Sequence, residues 1–326
     1  MFVLNLLKNI KKNYYNNLFD NHLKEENYKQ LVSDLKSLSQ KDKKLFSNID
    51  PKYFIETYHN YSEEGLLNKN LVWLNSFHKQ DISVLQNFLE FYLPSAFDRE
   101  FEFIDFSKEF ISLIKEDANQ EETFSFNKVL DLNEVFQFLI SQKCNKYKFI
   151  INNSAFFEIV DQKKYFTYTN LTCAYVYLIR NPVSIFQDLC AQDVSKDEAI
   201  NTVLHLDGRN PFIKIGEHLI EENTQSWETN VNSWTNENVL NTFNGLLIKY
   251  ENLYEDGVQI FAEFIAHLNM SGLNIKLDYE KIQEFITNQK DTPPFVPSNP
   301  VEISNNTKKI FYRQSEDTAK KFQYEF

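Results

Sequence analysis

Residues 72 to 93, "VWLNSFHKQDISVLQNFLEFYL", pass from an apolar run through a short polar turn into an amphipathic segment, the arrangement in which nucleotide phosphates are often cradled. The turn carries His78, Lys79, Asp81 and Ser83 but no glycine, the residue that lets a backbone adopt positive φ and approach an anion closely. Asp81 acts against an anion. Placed at the start of the helix, it is a favourable N-cap whose carboxylate accepts from the N–H groups a phosphate would need. A phosphate cradle and a capped strand-to-helix connection are both open readings of this turn.

A second ionisable pair lies in "AYVYLIRNPVSIFQDL". Arg180 ends the apolar run, Asn181 is placed as an N-cap and Pro182 stands at the first helical position, a well-formed helix start. Asp188 follows two turns later and can pair with Arg180. Elsewhere there is no G-x-S-x-G, no H-E-x-x-H and no Walker lysine in a glycine loop. The histidines, His22, His59, His78, His205, His218 and His267, show no ligand-like grouping, and no metal-type spacing links Cys144, Cys173 and Cys190, so no metal is expected.

These side chains need elements to hold them. "NLVWLNSF", "KYKFIIN", "AYVYLIR" and "GLLIKYE" read as strands buried on both faces, and "SVLQNFLEFYL", "LNEVFQFLISQ", "PVSIFQDLCAQ", "KDEAINTVLHL" and "GVQIFAEFIAHL" read as helices between them. Strand and helix alternating in this way predict the α/β class, a parallel sheet flanked by helices. Residues 1–65, with helical spacing in "YKQLVSDLKSL", predict a helical N-terminal extension, and residues 66–326 the α/β domain. After the proline-rich "DTPPFVPSNPVEISNN" a last short segment, "KKIFYRQ", is expected.

The order and wording of "VWLNSFHKQDISVLQNFL", "AYVYLIRNPVSIF" and "LLIKYENLYEDGVQIFAEFIAHL" resemble the sulfotransferases that use 3'-phosphoadenosine 5'-phosphosulfate (PAPS). "FIINNSAFFEIVDQKKYF", "SKDEAI" and "SWETNVNSWT" add to the resemblance, which is to the bacterial branch and spans roughly residues 66 to 326. It implies a P-loop-type fold that moves a sulfuryl group from PAPS to a hydroxyl-bearing acceptor, with glycans among the acceptors. It places Lys79 at the bridging and leaving oxygens, Ser83 at a phosphate-binding hydroxyl, and Arg180 and Arg313 at the 3'-phosphate. Glu251 falls in a motif that is mainly structural; the abundant aromatics read as core, and Trp227 and Trp234 are open to a second reading as the border of an acceptor cleft.

The same register shows where the chain departs from the family. His78, Gln80, Asp81, Ile82 and Val84 replace the Pro, Ser, Gly, Asn and Trp of the phosphosulfate loop, and Ser315 replaces a C-terminal glycine. Ile150 and Ile151 replace a Lys-Thr pair, and Asn152 takes the place of the histidine that removes the acceptor proton. Asn152 can orient a hydroxyl but cannot act as a base, whereas His78 in the neighbouring loop can. Asp188 stands where a serine shares the 3'-phosphate, and its charge repels that group. Two functions follow from the resemblance: an active sulfotransferase with an altered donor site, or a catalytically inactive relative that binds a glycan, a lipid headgroup or a protein partner.

Bulk composition narrows the setting. With 42% hydrophobic residues, 30 Phe and 17 Tyr, a chain of 326 residues can bury a large core, which opposes global disorder. A formal charge of −12 is unsuited to coating nucleic acid. "MFVLNLLKNIKKNYYNNLF" lacks a charged leader ahead of its apolar residues, and no run reaches the ~20 apolar residues of a membrane helix. The expectation is a cytoplasmic protein without a transmembrane segment.

Overall fold

The computed structural model describes residues 68–94, 100–114, 122–142, 146–159, 164–216, 218–289 and 303–324, together with 14, 16–22, 24, 30, 31, 33 and 34. The expected boundary at residue 65, most of the helix-spaced stretch 28–38, the proline-rich residues 291–302, His59 and Cys144 lie outside the described residues.

From β1 (Leu71–Ser76) the chain passes through a 3-10 turn, Lys79–Ile82, into α1 (Ser83–Tyr92), then β2 (Phe101–Asp105), α2 (Phe106–Ile114), β3 (Glu122–Phe124) and α3 (Phe126–Gln142). β4 (Tyr147–Asn152) leads to the small hairpin β5 (Glu158–Ile159) and β6 (Lys164–Tyr165), and β7 (Thr172–Ile179) to α4 (Pro182–Ala191) and α5 (Lys196–Leu204). β8 (Phe212–Ile215) and β9 (His218–Glu221) precede α6 (Trp227–Trp234) and α7 (Glu237–Thr242). β10 (Gly245–Lys249), α8 (Asn252–Met270), α9 (Tyr279–Gln289) and α10 (Asn305–Lys321) follow.

The five strands β10-β7-β1-β4-β2 form one sheet in that order, and every neighbouring pair is parallel. All six residues of β1 are buried, as continuous apolar runs require when helices cover both faces of a sheet. Leu71 and Trp73 enter one apolar cluster with residues of α3, α4, α5 and α6. Val72 and Leu74 enter the opposite cluster with α1, α8 and α9, where Phe88 stacks on Phe261 at 4.1 Å. Each such large side chain contributes roughly 2 kcal/mol when withdrawn from water. The Trp73 indole N–H donates to Thr167 Oγ1 at 3.1 Å and Thr172 Oγ1 at 3.0 Å, so its polar edge is satisfied inside the core.

The four expected strands are β1, β4, β7 and β10, and the five expected helices are α1, α3, α4, α5 and α8. The sheet adds β2, whose mixed aromatic and acidic residues in "FEFID" carry a weak strand signal, and a second sheet joins β3, β9 and β8. The expected short final segment is instead α10, a helical stretch of 17 residues kinked at Ser315. Ser304 caps it by accepting from Thr307 N at 3.1 Å, and buried Phe311 and Ala319 give it an apolar face. The described residues of the N-terminal stretch are helical, and Phe19 and Leu31 are fully buried in the same cluster as Trp73. Among the described residues no helix is long and apolar enough to cross a membrane.

The connection after β1 leads toward β2 at one edge of the sheet, and that after β7 toward β10 at the other. Ligands of open parallel sheets bind at such a reversal, beyond the carboxyl ends of the strands. The loops after β1 and β7 are the ones that carry Lys79, Asp81 and Arg180.

Candidate functional site

Two carboxylates hold the guanidinium that ends β7. Arg180 Nη1 lies 2.8 Å from Asp81 Oδ1 and Nη2 lies 2.5 Å from Asp188 Oδ2, while the guanidinium carbon sits 4.6 Å from the centre of the Tyr250 ring. The Arg180 and Asp81 side chains are only 7% and 2% exposed, so this is a buried pair. Burial disfavours the guanidinium charge, but Asp81 and Asp188 outweigh it and raise the arginine pKa further. His78 Nδ1 approaches the same Asp81 oxygen at 3.2 Å.

The backbone around Arg180 is equally well fixed. Asn181 caps α4 by accepting from Val183 N at 2.9 Å, with Pro182 in the first turn. Glu251 accepts from Asn181 N at 2.7 Å and from the Tyr324 hydroxyl at 2.9 Å, and the Trp227 indole donates to the Arg180 carbonyl at 2.9 Å.

The N-cap role expected of Asp81 is not what the structure shows. The 3-10 turn Lys79–Ile82 intervenes, Ile82 in helical conformation precedes α1, and no side chain caps either element. The carboxylate takes a buried guanidinium instead, because a charge-assisted bond to Arg180 is stronger than one to a backbone amide. The anticipated Arg180–Asp188 pair is present, with Asp81 as a second partner.

Lys79 projects the other way. Its Nζ is 3.0 Å from Asp105 Oδ1 at the end of β2, and both side chains are partly exposed, at 29% and 23%. Lys79, His78 and Gln80 line a cavity of about 640 Å³ between the β1 loop, α4, α5 and the segments before β8 and after β9. Ser83 is exposed in the first turn of α1 and is not part of the cavity lining.

Asn152 is buried and turned inward: its Nδ2 donates to Asn75 Oδ1 at 3.1 Å and Ser154 O at 3.3 Å. Its neighbour Asn153 lines the cavity and donates to Glu222 Oε2 at 2.9 Å. The strand alternation that buries Asn152 beside Asn75 thus removes it from any position against a ligand in this cavity. Trp227 and Trp234 are fully buried, their indole nitrogens bonded to Arg180 O and Ser154 O, so they act as core rather than as a cleft border. Arg313 lies on the exposed face of α10.

Sequence reasoning missed Asp105 and Glu222. Asp105 could have been noticed as the acid ending the "FEFID" alternation; Glu222, in "LIEENTQSW", carries no local signal. Among the described residues no group of three His, Cys, Asp or Glu is placed to hold a metal ion.

No family model matches the chain, and no curated protein matches it. Among solved structures it is similar to mouse sulfotransferase SULT7A1 complexed with PAP, at 17% identity and a TM-score of 0.39, covering 72% of this chain and 70% of that one. It is also similar to retinol dehydratase in complex with androsterone and inactive cofactor PAP, at 11% identity and a TM-score of 0.43, covering 84% of this chain and 87% of that one.

Proposed function

We propose that the protein is a sulfotransferase-like binding protein that has lost the nucleotide donor and takes its ligand, a glycan, a lipid headgroup or a segment of a protein partner, in the cavity beside the β1 loop. One observation carries this reading: the cations in the two strand-end loops are neutralised from within the chain, Arg180 by Asp81 and Asp188 and Lys79 by Asp105. A donor phosphate would have to displace a carboxylate that is already buried against Arg180, and it would meet Asp188 beside it. Like charges 4 Å apart repel by about 1 kcal/mol in water and about 4 kcal/mol at the lower dielectric of a partly buried site. The residues present therefore do not fit PAPS, and no transfer step is assigned to them.

Calorimetric titration with adenosine 3',5'-bisphosphate tests the reading. No binding heat is expected at millimolar ligand, and saturable binding would overturn it. The alternative, a PAPS-dependent sulfotransferase acting on a hydroxyl acceptor, is favoured by Lys79, which lines the cavity through an ion pair still partly in solvent. Sulfuryl transfer that is abolished by Lys79→Ala would establish that alternative.

A further inference from the structure

We propose that Glu222 anchors the ligand of this cavity and that the ligand presents a protonated amine on a body with an apolar face. The inference rests on the reading of the cavity as a ligand site independent of the nucleotide. Glu222 is 6% exposed and lines the cavity. Its Oε1 accepts from Ser107 Oγ at 2.9 Å and its Oε2 from Asn153 Nδ2 at 2.9 Å, so both recorded donors are neutral. Among the described residues it forms no ion pair, in contrast to Asp81, Asp105 and Asp188. An ionised carboxylate withdrawn from water is costly unless a positive charge or several donors compensate it, and with about four lone-pair sites it can accept a third donor. An ammonium group entering the cavity supplies both the charge and the donor.

The rest of the wall agrees. Glu198 and Asp207 also line it, against Arg209 and a Lys79 already paired with Asp105, so carboxylates are in excess. Ile185, Leu189, Ile213 and Phe77 supply an apolar surface for the body of the ligand. Glu222 is also preset. Its own N–H donates to Pro211 O at 2.9 Å, and buried Asn230 donates to Asn153 O at 2.9 Å and Thr224 O at 2.7 Å, fixing the segments on either side of the carboxylate. A carboxylate held in place loses little freedom when a ligand arrives.

The test uses three probes of one shape titrated at pH 7, followed by ligand-detected NMR: 2-phenylethylamine, 2-phenylethanol and phenylacetate. The amine is expected to bind about tenfold more tightly than the alcohol, with the acid weakest, and Glu222→Gln is expected to erase the preference for the amine. Equal or reversed order in the wild-type protein, no binding of any probe at millimolar concentration, or an amine preference retained in folded Glu222→Gln would each overturn the proposal. The wild-type order needs no variant, so a misfolded Glu222→Gln leaves the test intact. Adenosine 3',5'-bisphosphate is titrated in parallel: its binding refutes the loss of the nucleotide, whereas failure of the amine without it refutes only the role of Glu222.

Discussion

Asp81 and Arg180 stand 99 residues apart in the chain, yet Asp81 Oδ1 accepts from Arg180 Nη1 at 2.8 Å and neither side chain is appreciably exposed. The pair bridges the carboxyl ends of β1 and β7, the crevice where a sheet of this topology takes its ligand. A reciprocal amide contact between Gln80 and Gln192, 3.1 Å in its shorter bond, ties the same loop to the end of α4. A carboxylate of the chain thus occupies the guanidinium, and the β1 loop is fastened across the same crevice.

Removing that carboxylate should both weaken the protein and unmask the guanidinium. Breaking a buried pair by deleting one partner costs roughly 3–5 kcal/mol, and Asp81→Ala should fall at the lower end because Arg180 keeps Asp188. Urea denaturation would show the loss. Inorganic phosphate at constant ionic strength should then raise the midpoint of the variant and leave the wild type unchanged, since only the variant has a seat for it.

Lys79 offers the contrast. Its pair with Asp105 is partly in water at both ends, and exposed ion pairs contribute at most about 1 kcal/mol. Lys79→Ala should therefore shift the denaturation midpoint only slightly. A loss comparable with that of Asp81→Ala would show the β1 loop to be held from the β2 side instead.

The framework was readable because the central strands β1 and β7 are buried on both faces, which leaves uninterrupted apolar runs such as "VWLNS" and "AYVYLI". Asn181 and Pro182 were equally legible, since capping is decided within a few residues. What the sequence concealed is set by contacts between distant segments. Asp81 is a good N-cap by local chemistry, and only the 3-10 turn and the arrival of Arg180 from β7 divert it. Asn152 is the last residue of β4 and Asn153 the first beyond it, and that single step buries one and turns the other to the cavity. Glu222 gains its setting from Ser107 and Asn153, both far off in sequence.

Two buried groups should shape stability against pH in opposite senses. Burial raises Glu134 from 4.5 to about 7, despite a hydrogen bond with Tyr168 that works the other way. Its folded form holds a proton that the unfolded chain has released, so stability falls as pH rises from about 4.5 through about 7, and Glu134→Gln should remove that fall. Burial lowers His267, so the unfolded chain takes up a proton first and stability falls as pH drops below the ordinary histidine value of 6.5. Denaturation midpoints between pH 5 and pH 8 would separate the two, with the Glu134→Gln profile declining only on the acid side.

Asn230 ties together two segments that line the cavity. It is fully buried on α6, accepts from the Tyr177 hydroxyl at 2.7 Å, and donates to the carbonyls of Asn153 at 2.9 Å and Thr224 at 2.7 Å. Burial keeps the Tyr177 phenol far above its ordinary pKa, so it remains an O–H donor with a fixed demand for an acceptor. Asn230→Leu keeps the approximate volume but strands one donor and two acceptors; at about 1–3 kcal/mol for each buried unsatisfied group the loss should be at least about 3 kcal/mol. Tyr177→Phe introduced together with Asn230→Leu should recover about 1 kcal/mol by removing the stranded hydroxyl, a coupling that a double-mutant cycle measures directly. Additive losses from the two substitutions would mean that the Tyr177 hydroxyl does not depend on Asn230, and the two segments would then have to be held by the backbone bonds of residues 153–155 and 222–224 alone.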